Sequence, residues 1–314
     1  MSNGSVTCLS CYKDENKQEV EWQMRIQFLN GGLANQAFQY IFTRDYELSH
    51  PGEVVYMDDS YFALNTVHNG YELEKVFGIR PHMLSECFDA EVWEFILEER
   101  RRGKSVPQIL NENGIEMYMI SEVGDGYRTF NPFDGRVVQT PTNQYCPEIQ
   151  DMPDDVYYHG YWVNGKWFER YREVLLKDFT FPEIKDQGNR EYLHRIQSVN
   201  SVSLHIRRGD YVTVGWAMDP KWYRYCIDKF KLTIPGQWEL FVFSDDIPWC
   251  KEHGNDLGFG KFKNVTYVEG NTHGRNYMDM QLMSKCKAMI MSNSAFCYLA
   301  WLLNVDRKYY IDIR

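Results

Sequence analysis

The sequence specifies an α/β protein in two domains, and three observations predict it. Short apolar runs alternate with segments of helical spacing, most plainly in the second half. Several of those runs end abruptly in a polar cluster. The chain has 314 residues, more than one hydrophobic core usually holds. Strand-then-helix alternation implies a parallel sheet covered by helices on both faces. Ligands of such sheets sit beyond the carboxyl ends of the strands.

The elements follow in order. Residues 1–23 are polar and aperiodic and read as a flexible tail. Residues 24–29 read as a strand, turned by Asn30, Gly31 and Gly32. A helix over 33–48 places Leu33, Ala37, Phe38, Ile41 and Phe42 on one side, and His50-Pro51-Gly52 stops it. A strand over 53–57 ends at Asp58-Asp59. A helix over 85–102 turns Phe88, Val92, Phe95 and Ile96 inward. Residues 103–150 read as irregular, 156–163 as an aromatic strand and 166–178 as a helix. The polar stretch 182–190 reads as the linker. The expected division is therefore 1–23 tail, 24–185 N-terminal domain and 186–314 C-terminal domain. In the last of these, strands fall over 202–206, 239–243, 265–268 and 288–291, and helices over 220–231, 277–285 and 295–303.

Composition excludes some partners. The net charge is −10, which opposes a nucleic-acid or anionic-membrane surface but leaves room for a local anion site. Of eight cysteines only Cys8 and Cys11 are spaced as a pair, inside the polar tail; the others sit in apolar stretches as reduced, buried thiols. No apolar run reaches 18 residues and no signal peptide is present, so the chain is expected to be soluble and cytoplasmic. Aromatics make up 16%, which fits aromatic-rich cores and also surfaces that stack on bases or sugar rings.

Four polar clusters follow apolar runs: Gly31-Gly32-x-x-Asn35-Gln36, His205-x-Arg207-Arg208-x-Asp210, Ser244-Asp245-Asp246 and Ser292-Asn293-Ser294. Arg is the side chain best suited to bidentate phosphate recognition, so the second cluster points to an anionic ligand. Strand periodicity puts Ser203, His205 and Arg207 on one face. Arg208 then points into the packing layer, where Asp210 is expected to neutralise it. The glycine pair lets backbone approach a ligand. One of Ser292, Asn293 and Ser294 caps the following helix, leaving the others for a diphosphate. Asp245 and Asp246 suit the donor edge of guanine. No Asp-x-Asp occurs, and no metal is expected.

In this order the clusters resemble the α-1,2-fucosyltransferases of glycosyltransferase family 11. The matching residues are Gly31 to Tyr40, His205 to Val212, Phe243 to Cys250 and Asn293 to Phe296, with the segment His159 to Phe168 between them. The His-x-Arg-Arg-x-Asp element is shared with α-1,6- and protein O-fucosyltransferases. The resemblance implies a GT-B-type fold, two Rossmann-like domains facing across a cleft, with GDP-fucose as donor substrate and no cofactor or metal. It places Arg207 on the β-phosphate, and His205 with Asp245 or Asp246 near the guanosine. Asn35 and the Gly31-Gly32 turn go toward the diphosphate or acceptor. Gln36, Tyr211 and Phe296 fall within the matched motifs and are expected at the substrate. The chain departs from the family pattern at Ala34, Val163, Ala288-Met289 and Tyr298-Leu299-Ala300.

The reaction so implied is inverting transfer of fucose to the 2-hydroxyl of a terminal β-galactoside, membrane glycolipids included among acceptors. Arg207, Asn35 and Asp210 are the expected catalytic residues. Rival readings are an α-1,6-type GDP-sugar transferase and a non-catalytic nucleotide-sugar or glycan-binding protein.

Overall fold

In the computed structural model, residues 24–66, 69–123, 136–152, 155–272 and 274–312 are described; the tail, with Cys8 and Cys11, lies outside them. The chain divides into two compact units, Met1–Lys177 and Asp178–Arg314, where the sequence reading divides it at 185/186. The expected linker holds the start of a helix, Gln187–Ser198, because Asp186 accepts from the Asn189 amide at 2.9 Å and caps it.

Each unit is a parallel α/β sheet, as the alternation predicts. In the N-terminal unit the strands are β1 (Arg25–Phe28), β2 (Val55–Asp58), β3 (Tyr118–Val123), β4 (Arg136–Pro141) and β5 (Val156–His159), in the order β2-β1-β5-β3-β4. In the C-terminal unit they are β6 (Ser201–Ile206), β7 (Glu239–Ser244), β8 (Val265–Tyr267), β9 (Ala288–Ile290) and β10 (Tyr309–Ile311), in the order β10-β9-β6-β7-β8. All the pairings are parallel.

Three expectations needed correction. β3, β4 and the helix Val106–Glu112 lie in the stretch read as irregular, where frequent Gly, Asn and Pro mask short elements. The helix expected from residue 85 begins at Ala90, because the Asp89 side chain accepts from the Val92 amide at 2.9 Å and fixes the start there. The helix expected over 166–178 is two, Gly165–Arg170 and Arg172–Asp178, separated at Tyr171.

All six residues of β6 are buried. Val202, Leu204 and Ile206 join a core with Leu240 and Val242 of β7 and with Tyr223, Ile227 and Phe230 of the helix Pro220–Thr233. Each large apolar side chain so buried is worth about 1.5–3 kcal/mol. The alternate residues Ser203 and His205 bond instead to the Ala288 carbonyl and to Ser292. Strand period two thus splits β6 into a packing face and a polar face.

In the N-terminal unit a buried carboxylate organises the segment His159 to Phe168. Glu122 of β3 accepts from the backbone N–H groups of Asn143 (2.9 Å), Tyr161 (2.7 Å) and Trp162 (3.0 Å). Burial raises its pKa, against the pull of those three donors. A Cβ on Gly160 would stand 2.8 Å from Glu122 Cγ, so only glycine fits. Trp162 takes a left-handed backbone (φ 56°) and donates Nε1–H to Gln27 at 2.7 Å. Among the described residues no helix is long and apolar enough to cross a membrane.

Glu122→Ala leaves three backbone donors, the Trp162 N–H among them buried, without their acceptor and is expected to cost about 2–4 kcal/mol. Urea denaturation checks this, with Glu122→Gln closer to wild type because its amide oxygen still accepts; equal stability of Ala and wild type would contradict the role.

Candidate functional site

β6 pairs with β7 on one side and β9 on the other, all three running the same way. Their carboxyl ends therefore bring the clusters beginning at His205, Ser244 and Ser292 to one rim. The three clusters meet there, at the strand-end rim the sequence reading expects. The fourth, at Gly31, belongs to the N-terminal unit.

The arginines do not follow the strand-face argument. β6 ends at Ile206, so its periodicity reaches His205 and not Arg207. Gly209–Thr213 is a short helix, and it carries Asp210 back onto Arg207 at spacing i,i+3. Arg207 Nη2 lies 2.7 Å from Asp210, and Nη1 lies 2.8 Å from Asp245. The expected Arg208–Asp210 pair is replaced: Arg208 Nε donates to Asp246 at 3.1 Å, and its guanidinium stacks 3.7 Å above the Trp249 ring. Asp245 also accepts from the Arg208 amide at 2.8 Å. A Cβ on Gly209 would stand 2.7 Å from Asp245 Oδ2, so glycine is what admits that carboxylate.

The two carboxylates expected at guanine therefore have protein partners. Asp246 caps the helix Ile247–Glu252 by accepting from the Trp249 amide, while its own amide donates to Ser244 Oγ at 3.0 Å. Asp210 is the most exposed partner, at 55%. An ion pair that open to water holds its partner weakly, and a phosphate bearing more charge competes for the same guanidinium.

His205 is buried, with Nδ1 2.8 Å from Ser292 Oγ. Burial, helped by the Arg207 charge, lowers its pKa to about 3. It is a neutral hydrogen-bonding group at working pH and not a general acid. Ser294 is the cap of Ala295–Leu302, accepting from the Phe296 amide. Asn293 donates its amide to the Trp216 carbonyl at 2.9 Å. Phe296 tilts over His205 with centroids 5.6 Å apart, and Tyr211 lies against Arg207, 5.5 Å from guanidinium carbon to ring centre.

A cleft of about 420 Å³ opens at this rim, bordered by His205, Arg207, Ser244, Asp245 and Phe296. It is also lined by residues the sequence reading passed over, among them Asn271, Asn276 and Asp279. Asp279 accepts from Asn271 at 2.7 Å, and burial raises its pKa to about 7. Asn276 Oδ1 is buried with no hydrogen-bond partner among the described residues. The polar run Glu269 to Thr272 after β8 is a fifth strand-end cluster and was a legible signal. Asp279, inside the helix Tyr277–Met283, gave none.

In the N-terminal unit the glycine turn is built as expected and braced more than expected. Gly31 has φ 79°, and a Cβ there would stand 2.7 Å from Asn35 Nδ2. Gly32 opens the helix Leu33–Ser49, and Asn35 remains half-buried beside the turn. Gln36 is fully buried, donating to the Gly31 and Gly70 carbonyls (each 2.9 Å) and accepting from the Glu72 amide. Its task is to hold the turn. Asp58 accepts from Tyr157 Oη (2.6 Å) and Asp59 from Ser85 Oγ (2.6 Å), so both strand-end carboxylates brace the fold. Among the described residues, no three His, Cys, Asp or Glu side chains are grouped to hold a metal.

Comparison with known proteins gives these findings. The model of glycosyl transferase family 11 matches residues 146–313. An α-1,2-colitosyltransferase of Escherichia coli is 37% identical over 291 residues, 88% of this chain and 87% of its own. The galactoside α-(1,2)-fucosyltransferase 2 of Gorilla gorilla gorilla is 26% identical over 176 residues, 52% of this chain and 50% of its own. A crystal structure of the α-1,6-fucosyltransferase NodZ soaked with GDP-fucose aligns at 14% identity over 90% of this chain and 93% of its own, with a TM-score of 0.47.

The lowered pKa of His205 has a signed consequence. Between about pH 3 and 6.5 the unfolded chain binds a proton that the folded chain refuses, so this group removes stability as pH falls through 6.5. By NMR the His205 ring is expected to show no titration from pH 5 to 8; a midpoint near 6.5 would contradict its burial.

Proposed function

The chain belongs to glycosyl transferase family 11, and we propose that it transfers L-fucose from GDP-fucose to the 2-hydroxyl of a terminal galactoside, forming an α-1,2 linkage. The observation that carries this reading is the Arg207 guanidinium at the carboxyl end of β6, held by an exposed and exchangeable Asp210. A diphosphate arriving at the rim takes Arg207 from Asp210. Asp210 is thereby assigned to counter-ion exchange.

The acceptor oxygen attacks the anomeric carbon from the side opposite the diphosphate. The bond from that carbon to the β-phosphate oxygen breaks, its electron pair stays on the phosphate, and the hydroxyl proton passes to a base. Charge grows on the leaving oxygen, so a cationic donor that tightens there lowers the barrier. In this reading Arg207 supplies the charge that a metal ion would supply elsewhere, and GDP-fucose is the substrate with no cofactor. Asn35 and the Gly31-Gly32 turn are assigned to the acceptor side.

Asp279 and Asn276 offer acceptor oxygens in the cleft, with Asn271 holding Asp279. Guanine presents N1–H and N2–H₂ side by side, two donors that suit an ionised carboxylate. With Asp245 and Asp246 engaged by the arginines, Asp279 is the carboxylate we assign to the base, stacked on its way by Phe296.

The 37% identity to a colitosyltransferase favours a second donor, GDP-colitose, which lacks the 3-hydroxyl of fucose. Both donors share the diphosphate and base contacts and differ only at the sugar. Comparing kcat/KM for the two donors on lactose separates them. Linkage analysis of the product separates α-1,2 from α-1,6 transfer, and donor binding without turnover would indicate a binding protein.

Arg207→Ala is expected to lower kcat/KM with GDP-fucose and lactose, in the presence of EDTA, by roughly a hundredfold or more, about 3 kcal/mol of barrier. Activity within threefold of wild type would remove Arg207 from the phosphate.

Asp279 must be ionised to accept both guanine donors. Guanosine, which carries no titrating phosphate, is expected to bind more weakly as pH falls from 8 to 6 through the pKa of about 7. In Asp279→Asn the binding is expected to be weak and flat with pH. A wild-type affinity independent of pH would sink the assignment.

A further inference from the structure

The segment after the arginines leaves Val212, Val214 and Trp216 exposed at 49%, 53% and 44%. Single exposed apolar residues are ordinary. Here three apolar residues of one short segment, directly following Asp210 and Tyr211, are exposed.

Trp216 is also held in place. Its amide donates to the Tyr211 carbonyl at 2.8 Å, and its carbonyl accepts from Asn293 at 2.9 Å. Its ring meets Tyr211 edge-on, centroids 5.6 Å apart at 88°. Tyr211 in turn lies against the Arg207 guanidinium at 5.5 Å. The Trp216 backbone is thus tied to both the segment after β6 and the loop after β9, and its indole packs on Tyr211, one ring beyond the guanidinium. A loose surface tryptophan would show none of these ties.

We propose that Trp216 is the stacking platform for the acceptor sugar, taking the apolar face of a terminal galactopyranoside. The proposal rests on the transferase reading above. A sugar bonded to the β-phosphate lies directly against Arg207. Trp216 stands further out, past Tyr211, where the second ring of the reaction belongs. Galactose gathers C3–H, C4–H and C5–H on one face, and an aromatic ring covers that face well. Stacking in that way leaves the equatorial 2-hydroxyl at the ring edge, clear to approach the anomeric carbon. The exposed Asn293, whose Nδ2 holds the Trp216 carbonyl, directs its Oδ1 to the remaining hydroxyls.

Such a platform binds acceptor equally in ground and transition states, so its loss raises KM and spares kcat. Trp216→Ala is expected to raise the KM for lactose about tenfold. Its kcat is expected to stay within twofold of wild type and its Kd for GDP to be unchanged. Trp216→Phe, which keeps an aromatic face, is expected to stay within threefold in KM. A purely structural role would lower thermal stability and weaken GDP binding in both variants alike. Independently of folding, lactose titrated into ¹⁵N-labelled wild type should shift the Trp216 indole N–H resonance, and maltose should not. An unchanged KM in Trp216→Ala, or an unmoved indole signal at saturating lactose, overturns the proposal. Should wild type turn over no donor, the transferase reading falls and the indole titration alone decides: a shift upholds a galactoside platform, and its absence refutes it.

Discussion

Everything at the candidate site depends on neutralising two guanidinium groups at the end of a buried strand. β6 is buried along its whole length, and it delivers Arg207 and Arg208 to the point where water begins. Each arginine meets its own carboxylate after β7: Asp245 for Arg207 and Asp246 for Arg208. Those pairs tie the central strand β6 to its neighbour β7 at the rim. Asp210 is the third anion, and its exposure separates it from the others. A half-buried pair is costly to break because it strands a charge, whereas an exposed one exchanges readily. The fold therefore fixes the cation while leaving one coordination side open.

The same economy of positions appears in the rest of the rim. Asp246 caps a helix as well as pairing with Arg208, and Ser294 caps the helix that follows the third cluster. Gly209 exists to let a carboxylate approach. Burial then sets the protonation of the groups facing the cleft in opposite ways. It holds His205 neutral by lowering its pKa, and it raises that of Asp279 toward neutrality. A neutral ring and a titratable carboxylate therefore line the same cleft.

The N-terminal unit applies buried polar groups to a different end. Gln36, Gln39, Gln27 and Glu122 are all buried, and their bonds go to backbone of the Asn30–Gly32 turn and of the segment from Gly160 to Trp162. A fully satisfied buried network makes a loop rigid. The turn that precedes Asn35 is consequently held by buried side chains.

The sequence by itself determined the α/β class, the parallel sheets and the strand-end placement of the clusters, because hydrophobic periodicity is local and a strand end is visible where an apolar run stops. The helix over Leu33–Ser49 and the strand β6 were legible almost to the residue for that reason. β3 and β4 were not, since short strands flanked by turn-forming residues lack a distinctive period. Only the tertiary structure decided who pairs with whom. Arg207 and Arg208 are chemically identical neighbours, and a helical turn starting at Gly209, with two carboxylates just past the end of β7, allotted their partners. Asp279 joined the cleft, and Gln36 was buried against the Gly31 and Gly70 carbonyls, for the same reason. Which groups share a low-dielectric space is set by packing between distant segments, and no spacing along the chain records it.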